Sequence, residues 1–307
     1  MKDIPEISIV VPVRNRADLL RLTLEGLARQ TLRLEKFEVI VCDDGSNEDL
    51  QPIVAAMEAE GLNIRYERQG PEGPATARNL GIRHARAPLV LLMDSDVQPE
   101  PEVVAAILSA MRANPEWVGA EARLRPIGDQ DGPLWQAPAS EAGGHYHTAA
   151  IAFPKHILEA VGGMDQNFKM AACEDAELAA RVLKHGKIGF VPEALVLHPV
   201  RRVTWKHHLR WRKHWWYLTT MAVRYGFLAF PGKSAGPTPR LRVALCAVVT
   251  QPFGRFRRAL MHLIQNPAEG LIALGHVCID ILAGLWALPE ILFRPIPERK
   301  NWLTGAL

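Results

Sequence analysis

The chain has 307 residues, of which 48% are hydrophobic and 22% charged, a balance that excludes a disordered chain, a collagen and a coiled coil. Its four cysteines, Cys42, Cys173, Cys246 and Cys278, form no C-x-x-C pair, which excludes a disulfide scaffold and a cysteine-based zinc ribbon. The net charge of +3 hides a split: residues 1–198 hold 20 basic against 29 acidic residues, a net of −9, and residues 199–307 hold 16 against 4, a net of +12.

The first residues, Met1 to Glu6, include acidic residues and no apolar run, so no signal peptide is expected there and the catalytic part is expected to be cytoplasmic. Residues 7–13 are a short apolar run of strand type. A helix is predicted over 17–29, with Leu19, Leu20, Leu24 and Leu27 on one face. Phe37 to Cys42 is a second buried strand and ends in the turn cluster Asp43-Asp44-Gly45-Ser46. Then come a helix over 47–60, a strand over 62–67, a Gly/Pro loop at 70–74 and a helix over 75–85. Leu89 to Met93 is again continuous and apolar and ends in Asp94-Ser95-Asp96. A helix over 101–113 follows. The Gly-, Pro- and Ala-rich stretch 126–147 reads as a long loop, and a loop of that length inside a domain is often functional. Next are a strand over 148–153, a helix over 154–160, a Gly-Gly turn at 162–163, a helix over 175–185 and a strand over 188–197. There is no internal repeat. Alternating helices and buried apolar strands predict an α/β fold with a mostly parallel sheet.

Two of those strands end in acidic turns, and open α/β sheets bind ligands beyond the carboxyl ends of their strands. Asp94 and Asp96 offer the hard oxygen ligands that Mg²⁺ takes alongside substrate phosphates. The spacing alone also suits a solvated, helix-capping turn. Asp43 and Asp44, with Gly45 permitting a tight turn, can accept hydrogen bonds from a base or ribose, or can close an Asx turn. Glu174-Asp175 opens a helix, where acidic side chains suit the helix dipole. Facing a cleft, Asp175 would instead be placed to take a proton from a hydroxyl. His198 reads equally as a structural histidine or a ligand. His145-Tyr146-His147 reads as a polar loop edge, with a metal or acceptor surface as the alternative, and Cys173 as a packing residue. No G-x-x-x-x-G-K-[ST] occurs, and no G-x-G-x-x-G follows the first strand, which excludes a P-loop and disfavours a dinucleotide oxidoreductase.

The order of these motifs resembles the family 2 glycosyltransferases. The matching segments are Ser8 to Asn15, Val39 to Ser46, Gly73 to Ile82, Leu92 to Asp96, Gly162-Gly163-Met164-Asp165, Glu174 to Leu178 with Arg181, and Val191 to Ala194 with His198. Together they cover residues 6–200. The resemblance implies an inverting enzyme of GT-A-like, Rossmann-related fold with Mg²⁺ or Mn²⁺ as cofactor. Asp44 would contact the donor nucleobase, with Asp43 supporting the turn. Pro12, Val13 and Arg14 would line the nucleoside pocket, and Arg78 and Asn79 would lie against the nucleotide. Asp94 would face the ribose and metal, Asp96 would ligate the metal directly, and His198 would meet the metal or diphosphate. Gly163, Met164, Asp165 and Glu174 would shape the donor-sugar and acceptor side, and Asp175 would be the catalytic base. Glu177 stands where the family often has Asp, and Met164 where Phe is usual.

Beyond residue 200 the chain is basic, apolar and rich in Trp, with Trp205, Trp211, Trp215 and Trp216 within twelve residues. That combination favours a membrane surface over nucleic acid. A helix over 203–230 would align His208, Trp211, Trp215, Leu218 and Ala222 on one face. A break is predicted at 231–237. Apolar pieces follow at 241–250 and 259–264, separated by Arg255, Arg257 and Arg258. Residues 271–289 are apolar apart from His276 and Asp280, and a central Asp makes a full span costly by about 2.5–3.5 kcal/mol. A monotopic hairpin or a helical pair docked on the membrane surface fits better, with a buried helix in a soluble dimer as the remaining alternative.

The expected organisation is therefore a catalytic domain over 1–200 and a membrane-associated helical region over 201–307, at the inner face of the cell membrane. The expected reaction moves a sugar from a nucleoside-diphosphate donor to a glycan, lipid-linked or small-molecule acceptor of the cell envelope. Alternatives are a sugar-nucleotide nucleotidyltransferase, which needs a Gly-rich first loop that Pro12 to Arg16 does not provide, and an inactive membrane-docked nucleotide-sugar-binding protein.

Overall fold

In chain order the elements are β1 (Ile7–Val13), α1 (Ala17–Ala28), β2 (Phe37–Asp44), α2 (Gln51–Ala59), β3 (Ile64–Gln69), α3 (Pro74–His84), β4 (Leu89–Met93), β5 (Gln98–Pro99) and α4 (Val103–Ala113). They continue with β6 (Trp117–Ile127), β7 (Trp135–Gln136), β8 (Ala150–Pro154), α5 (Lys155–Ala160), α6 (Glu174–Val182), β9 (Lys187–Pro199) and β10 (Arg201–Arg202). The last four are α7 (Trp205–Tyr225), α8 (Pro239–Leu245), α9 (Gln251–Gln265) and α10 (Pro267–Phe293). This computed structural model describes residues 4–128, 132–225 and 239–303, with backbone only at 210–212. The side chain of Trp211 and the predicted break at 231–237 fall outside the described residues.

The chain divides into two units, the first comprising Met1–Ile127, Pro138–Pro199 and Arg299–Leu307, the second Gly128–Ala137 and Val200–Glu298. The first unit is built on an eight-stranded sheet in the order β3-β2-β1-β4-β8-β6-β9-β5. β3, β2, β1 and β4 run parallel, β8 is antiparallel to both of its neighbours, β6 and β9 are parallel, and β5 is antiparallel to β9. All seven residues of β1 and all eight of β2 are buried, as a strand covered on both faces requires. Alternate side chains serve opposite faces. Ile7, Ile9, Val11 and Val13 meet the leucine face of α1 and the apolar residues of α2 and α4. Val10, Ile40 and Cys42 meet α3, α5 and α6. The chain leaves β1 to β2 and β3 on one side and reaches β4 on the other, so the order reverses at β1. That reversal is where such sheets open a crevice at their carboxyl edge.

β6 is a strand that apolar periodicity did not predict. It begins only four residues after α4 and runs into the stretch expected to be a loop. The second unit contains α7 to α10 and the small β7–β10 ladder. His208, Trp215, Leu218 and Ala222 of α7 are buried, in line with the predicted face.

Candidate functional site

β2 does not stop before its acidic pair. The parallel ladder to β3 continues through Asp43↔Arg68 and Asp44↔Gln69, so both aspartates sit on the strand's carboxyl end. Asp43 Oδ1 accepts the Ser46 N–H at 2.8 Å, and Oδ2 accepts the Tyr66 hydroxyl at 2.5 Å beside Arg68 at 3.2 Å. Burial and then the Asp43 bond push the Tyr66 phenol up to about 12. Asp44 Oδ1 accepts from Gln69 Nε2 at 2.9 Å and the Glu72 N–H at 2.8 Å, and Oδ2 from the Gly73 N–H at 2.9 Å. Asp44 thereby closes the loop ahead of α3. Gly73, at φ +103°, starts that helix with its Cα against the Lys169 backbone, where a Cβ would lie 2.8 Å from the carbonyl oxygen.

Beyond β4, one ligand atom each from Asp94, Asp96 and His198 lies within 4.8 Å of the other two. Asp94 and Asp96 come from the turn after β4, and His198 from the end of β9. His198 Nε2 is 3.8 Å from Asp96 Oδ1, while Nδ1 is 3.0 Å from the Pro199 carbonyl. A carbonyl can only accept, so Nδ1 carries a proton, and Nε2 is the ring atom that faces the carboxylates, the one a metal would take. Two carboxylates and one imidazole suit Mg²⁺ or Mn²⁺. The donor set therefore fits a divalent cation. Arg16 also donates to Asp96.

Arg78 of α3 joins this cluster to the start of α6. It is fully buried, with NH2 2.6 Å from Asp94 Oδ1 and NH1 3.3 Å from Glu174 Oε1. Glu174 is buried, and that burial, with the adjacent Asp175 charge, pushes its carboxyl up to about 7 against the pull of Arg78. Asp175 is only partly buried. Its Oδ1 accepts the Ala176 N–H at 2.7 Å, and its Oδ2 faces His147 Nδ1 at 3.4 Å. Cys173, just before α6, has a left-handed backbone at φ +67°.

The other predicted residues take varied places. Pro12 and Val13 are buried at the end of β1, and Arg14 is exposed beyond it. Asn79 is fully buried and grips Met164 by two bonds, accepting its N–H at 2.8 Å and donating to its carbonyl at 2.9 Å. Met164 and Asp165 are also fully buried. Asp165 Oδ1 accepts the Asn167 N–H at 2.9 Å. A Cβ on Gly163 (φ +70°) would fall 2.7 Å from Asn79 Oδ1. The structure thus gathers Asp94, Asp96, His198, Arg78, Glu174 and Asp175, keeps Asp43 and Asp44 at the carboxyl end of β2, with β1 between it and β4, and uses Asn79, Met164 and Asp165 in the interior.

Sequence reasoning missed Arg16 and Glu121, and treated His147 as a loop edge. Arg16 stands next to the matching segment that ends at Asn15, the one available signal. Glu121 lies in the strand that periodicity did not find.

The family described as "Glycosyl transferase family 2" matches residues 8–149. Validoxylamine A glucosyltransferase from Streptomyces hygroscopicus subsp. jinggangensis (strain 5008) is 34% identical over 222 residues, covering 60% of this chain and 52% of the relative. Hyaluronan synthase from Pasteurella multocida is 44% identical over 97 residues, 31% of this chain and 10% of that protein. This chain spans about half the length, or less, of these curated relatives. Among solved structures, the mannosyltransferase PcManGT from Pyrobaculum calidifontis, in complex with GDP-Man and Mn²⁺, superposes with a TM-score of 0.60 at 17% identity, over 92% of this chain and 87% of that one. TarS from S. aureus in complex with UDP-GlcNAc gives 0.59 at 15% identity, over 90% and 81%. The fold is GT-A-like, and residues 8–149 of this chain match the family 2 glycosyltransferases.

Proposed function

We propose that this glycosyltransferase moves a sugar from a nucleoside-diphosphate donor to an acceptor hydroxyl with inversion, using Asp175 as general base and a divalent cation, Mg²⁺ or Mn²⁺, held by Asp94, Asp96 and His198. The observation that carries this reading is the pair of clusters joined by Arg78: the Asp94–Asp96–His198 set on one side and the Glu174–Asp175 helix start on the other. The PcManGT and TarS complexes, with GDP-Man and UDP-GlcNAc, support the donor class.

In this reading the acceptor oxygen forms a bond to the anomeric carbon, the bond from that carbon to the diphosphate oxygen breaks, and the acceptor proton passes to Asp175. A divalent cation bound at the triad supplies Lewis-acid stabilisation of the leaving diphosphate. Asp44 and Asp43 serve the nucleobase side with Pro12, Val13 and Arg14. Asp94 and Arg78 serve the ribose and phosphates. Asn79 supports that floor from behind, and Gly163, Met164, Asp165 and Glu174 shape the sugar and acceptor side. General-base catalysis of this kind is worth about 10²–10⁴-fold.

The acceptor in this reading is a glycan or lipid-linked hydroxyl of the cell envelope, reached from the inner face of the membrane. Support comes from the second unit, where large apolar side chains stay exposed along α8, α9 and α10, among them Phe253 (69%), Ile264 (86%) and Phe293 (79%). Exposed apolar surface of this kind marks partner or membrane contact. α10 is 27 residues long and apolar enough to cross a membrane, yet Asp280 at its middle turns inward to His208 and Arg255, at 2.6 and 2.5 Å. That favours docking over crossing.

A thermal-shift panel of UDP, GDP, dTDP and CDP, each with and without Mn²⁺, tests the donor site. A ligand at about 100 times its Kd stabilises the fold by about 2.7 kcal/mol. Stabilisation by one nucleotide that depends on the metal is the expected result. No shift with any of them would reject the assigned donor and metal site.

A further inference from the structure

The segment of the first unit from Ser140 to His147 holds a second device beside Asp175. Glu121 of β6 is 1% exposed. A carboxylate so placed needs several donors to balance its lost hydration, and it has four. Ser140 Oγ donates to Oε1 at 2.7 Å, the Gly144 N–H to Oε2 at 2.7 Å, and the Tyr146 and His145 N–H groups to Oε1 at 3.0 and 3.3 Å. One buried side chain therefore sets the path of the loop as far as residue 146. There Tyr146 turns through a left-handed backbone at φ +58°, and the next residue, His147, points Nδ1 at Asp175 Oδ2, 3.4 Å away. His145 stacks on His147, with ring centroids 5.6 Å apart and planes within 2°.

Among the described residues, the non-glycine residues with positive φ are Asn15, Tyr146 and Cys173. Two of the three flank this contact, one beside His147 and one two residues before Asp175. Strained backbone of this kind persists where surrounding structure enforces it, and it gathers at functional sites. The Asp175 carboxylate is thereby held from two sides: Oδ1 by the helix N–H of Ala176 and Oδ2 by the imidazole.

We propose that His147 is a positioning residue for Asp175, fixing the carboxylate for proton abstraction, and that buried Glu121 holds the loop that presents it. The inference rests on the reading of Asp175 as the general base. A base must be aimed as well as basic, and the groups that aim it recur as its hydrogen-bond partners. The charged groups around His147 are Asp175, Glu121 and Asp94. Burial pulls the imidazole down, and the Asp175 bond and charge outweigh it, so the ring is held above its ordinary range.

Two measurements test this on the full chain. The first needs no substrate. The side-chain nitrogens of ¹⁵N-labelled histidine are titrated by NMR in the wild type and in Asp175→Asn. The His147 signal should titrate at lower pH in the variant; an unchanged titration would overturn the contact. The second follows release of UDP from UDP-glucose and of GDP from GDP-mannose with Mn²⁺. His147→Ala should lower kcat by at least ~10-fold, the scale of a misaimed base, while KM for the donor stays within about twofold. His147→Asn, which returns an N–H near the Nδ1 position, should recover most of the loss. Glu121→Gln should lower kcat with the same unchanged KM. If Asp175→Asn abolishes turnover and His147→Ala keeps the wild-type kcat, this inference fails while the base reading stands. If Asp175→Asn keeps turnover, the base reading itself fails.

Discussion

Glu38 and Glu174 are both buried acids, yet their surroundings pull them in opposite directions. Glu38 lies at the amino end of β2, away from the site. Burial pushes its carboxyl up, but the Ser8 hydroxyl, Arg86 and Arg65 outweigh burial and hold it below the ordinary value of 4.5. Its contribution to stability is present above that pH and is lost as pH falls below it. Glu174 is raised from 4.5 to about 7 by burial and by Asp175. Its folded form prefers the proton, so its contribution is full below 4.5 and fades as pH rises through about 7. We therefore expect the stability of the wild type relative to Glu174→Gln, followed by thermal unfolding in a metal-free buffer, to decline between pH 4.5 and 7. A constant difference across that window would contradict the assignment. At the same scale, Asp175→Asn should lose turnover by at least ~10² and keep its nucleotide-induced thermal shift. Asp96→Ala should lose the metal-dependent part of that shift, and an undiminished shift would remove Asp96 from the metal site.

At the scale of elements, α3 lies so close to the sheet that Gly81 has no room for a side chain. An added Cβ would fall 2.3 Å from Val10 Cγ1 and 2.8 Å from Cys42 Sγ. Overpacking of this sort costs about 1–3 kcal/mol, or several degrees in Tm for a unit of this size. Gly81→Ala should therefore unfold earlier, and because α3 carries Arg78, nucleotide affinity should fall with it. Wild-type stability in denaturant titration would contradict the contact. The central strands could be read in advance because β1, β2 and β4 are unbroken apolar runs, and the acidic ends of β2 and β4 marked the edge of the candidate site. The turn expected at Asp43 was moved on two residues because pairing with β3 outweighs local turn preference. β6 escaped notice for a different reason. Gly119, Ala120 and Ala122 are small, and Glu121, Arg123 and Arg125 interrupt any apolar alternation. Its burial depends on hydrogen bonds from a loop some 20 residues later, which no local pattern reveals. The same holds for His147, whose role is defined only by a partner 28 positions away.

At the scale of the whole molecule, the charge split acquires a place. Arg257 and Arg258 are exposed on α9 beside Phe253, Leu260 and Ile264, the mixture an anionic bilayer attracts. The full chain should sediment with phosphatidylglycerol vesicles, and Arg257→Gln with Arg258→Gln should weaken binding by roughly 30-fold, at about 1 kcal/mol per charge. Equal binding of wild type and double variant would count against the docked arrangement. One further feature of the first unit bears on how the protein is made. After α10 the chain returns to that unit, where the Trp302 N–H donates to the Gly162 carbonyl at 3.0 Å, Arg299 donates to the Val161 carbonyl, and Leu303 packs at Gly163. The Gly162–Gly163 turn before α6 is thus completed by residues that leave the ribosome only after α7 to α10 have been synthesised. A nascent chain stalled between α7 and α10 carries the first unit's sheet with all its strands and a Gly162–Gly163 turn still missing its last brace.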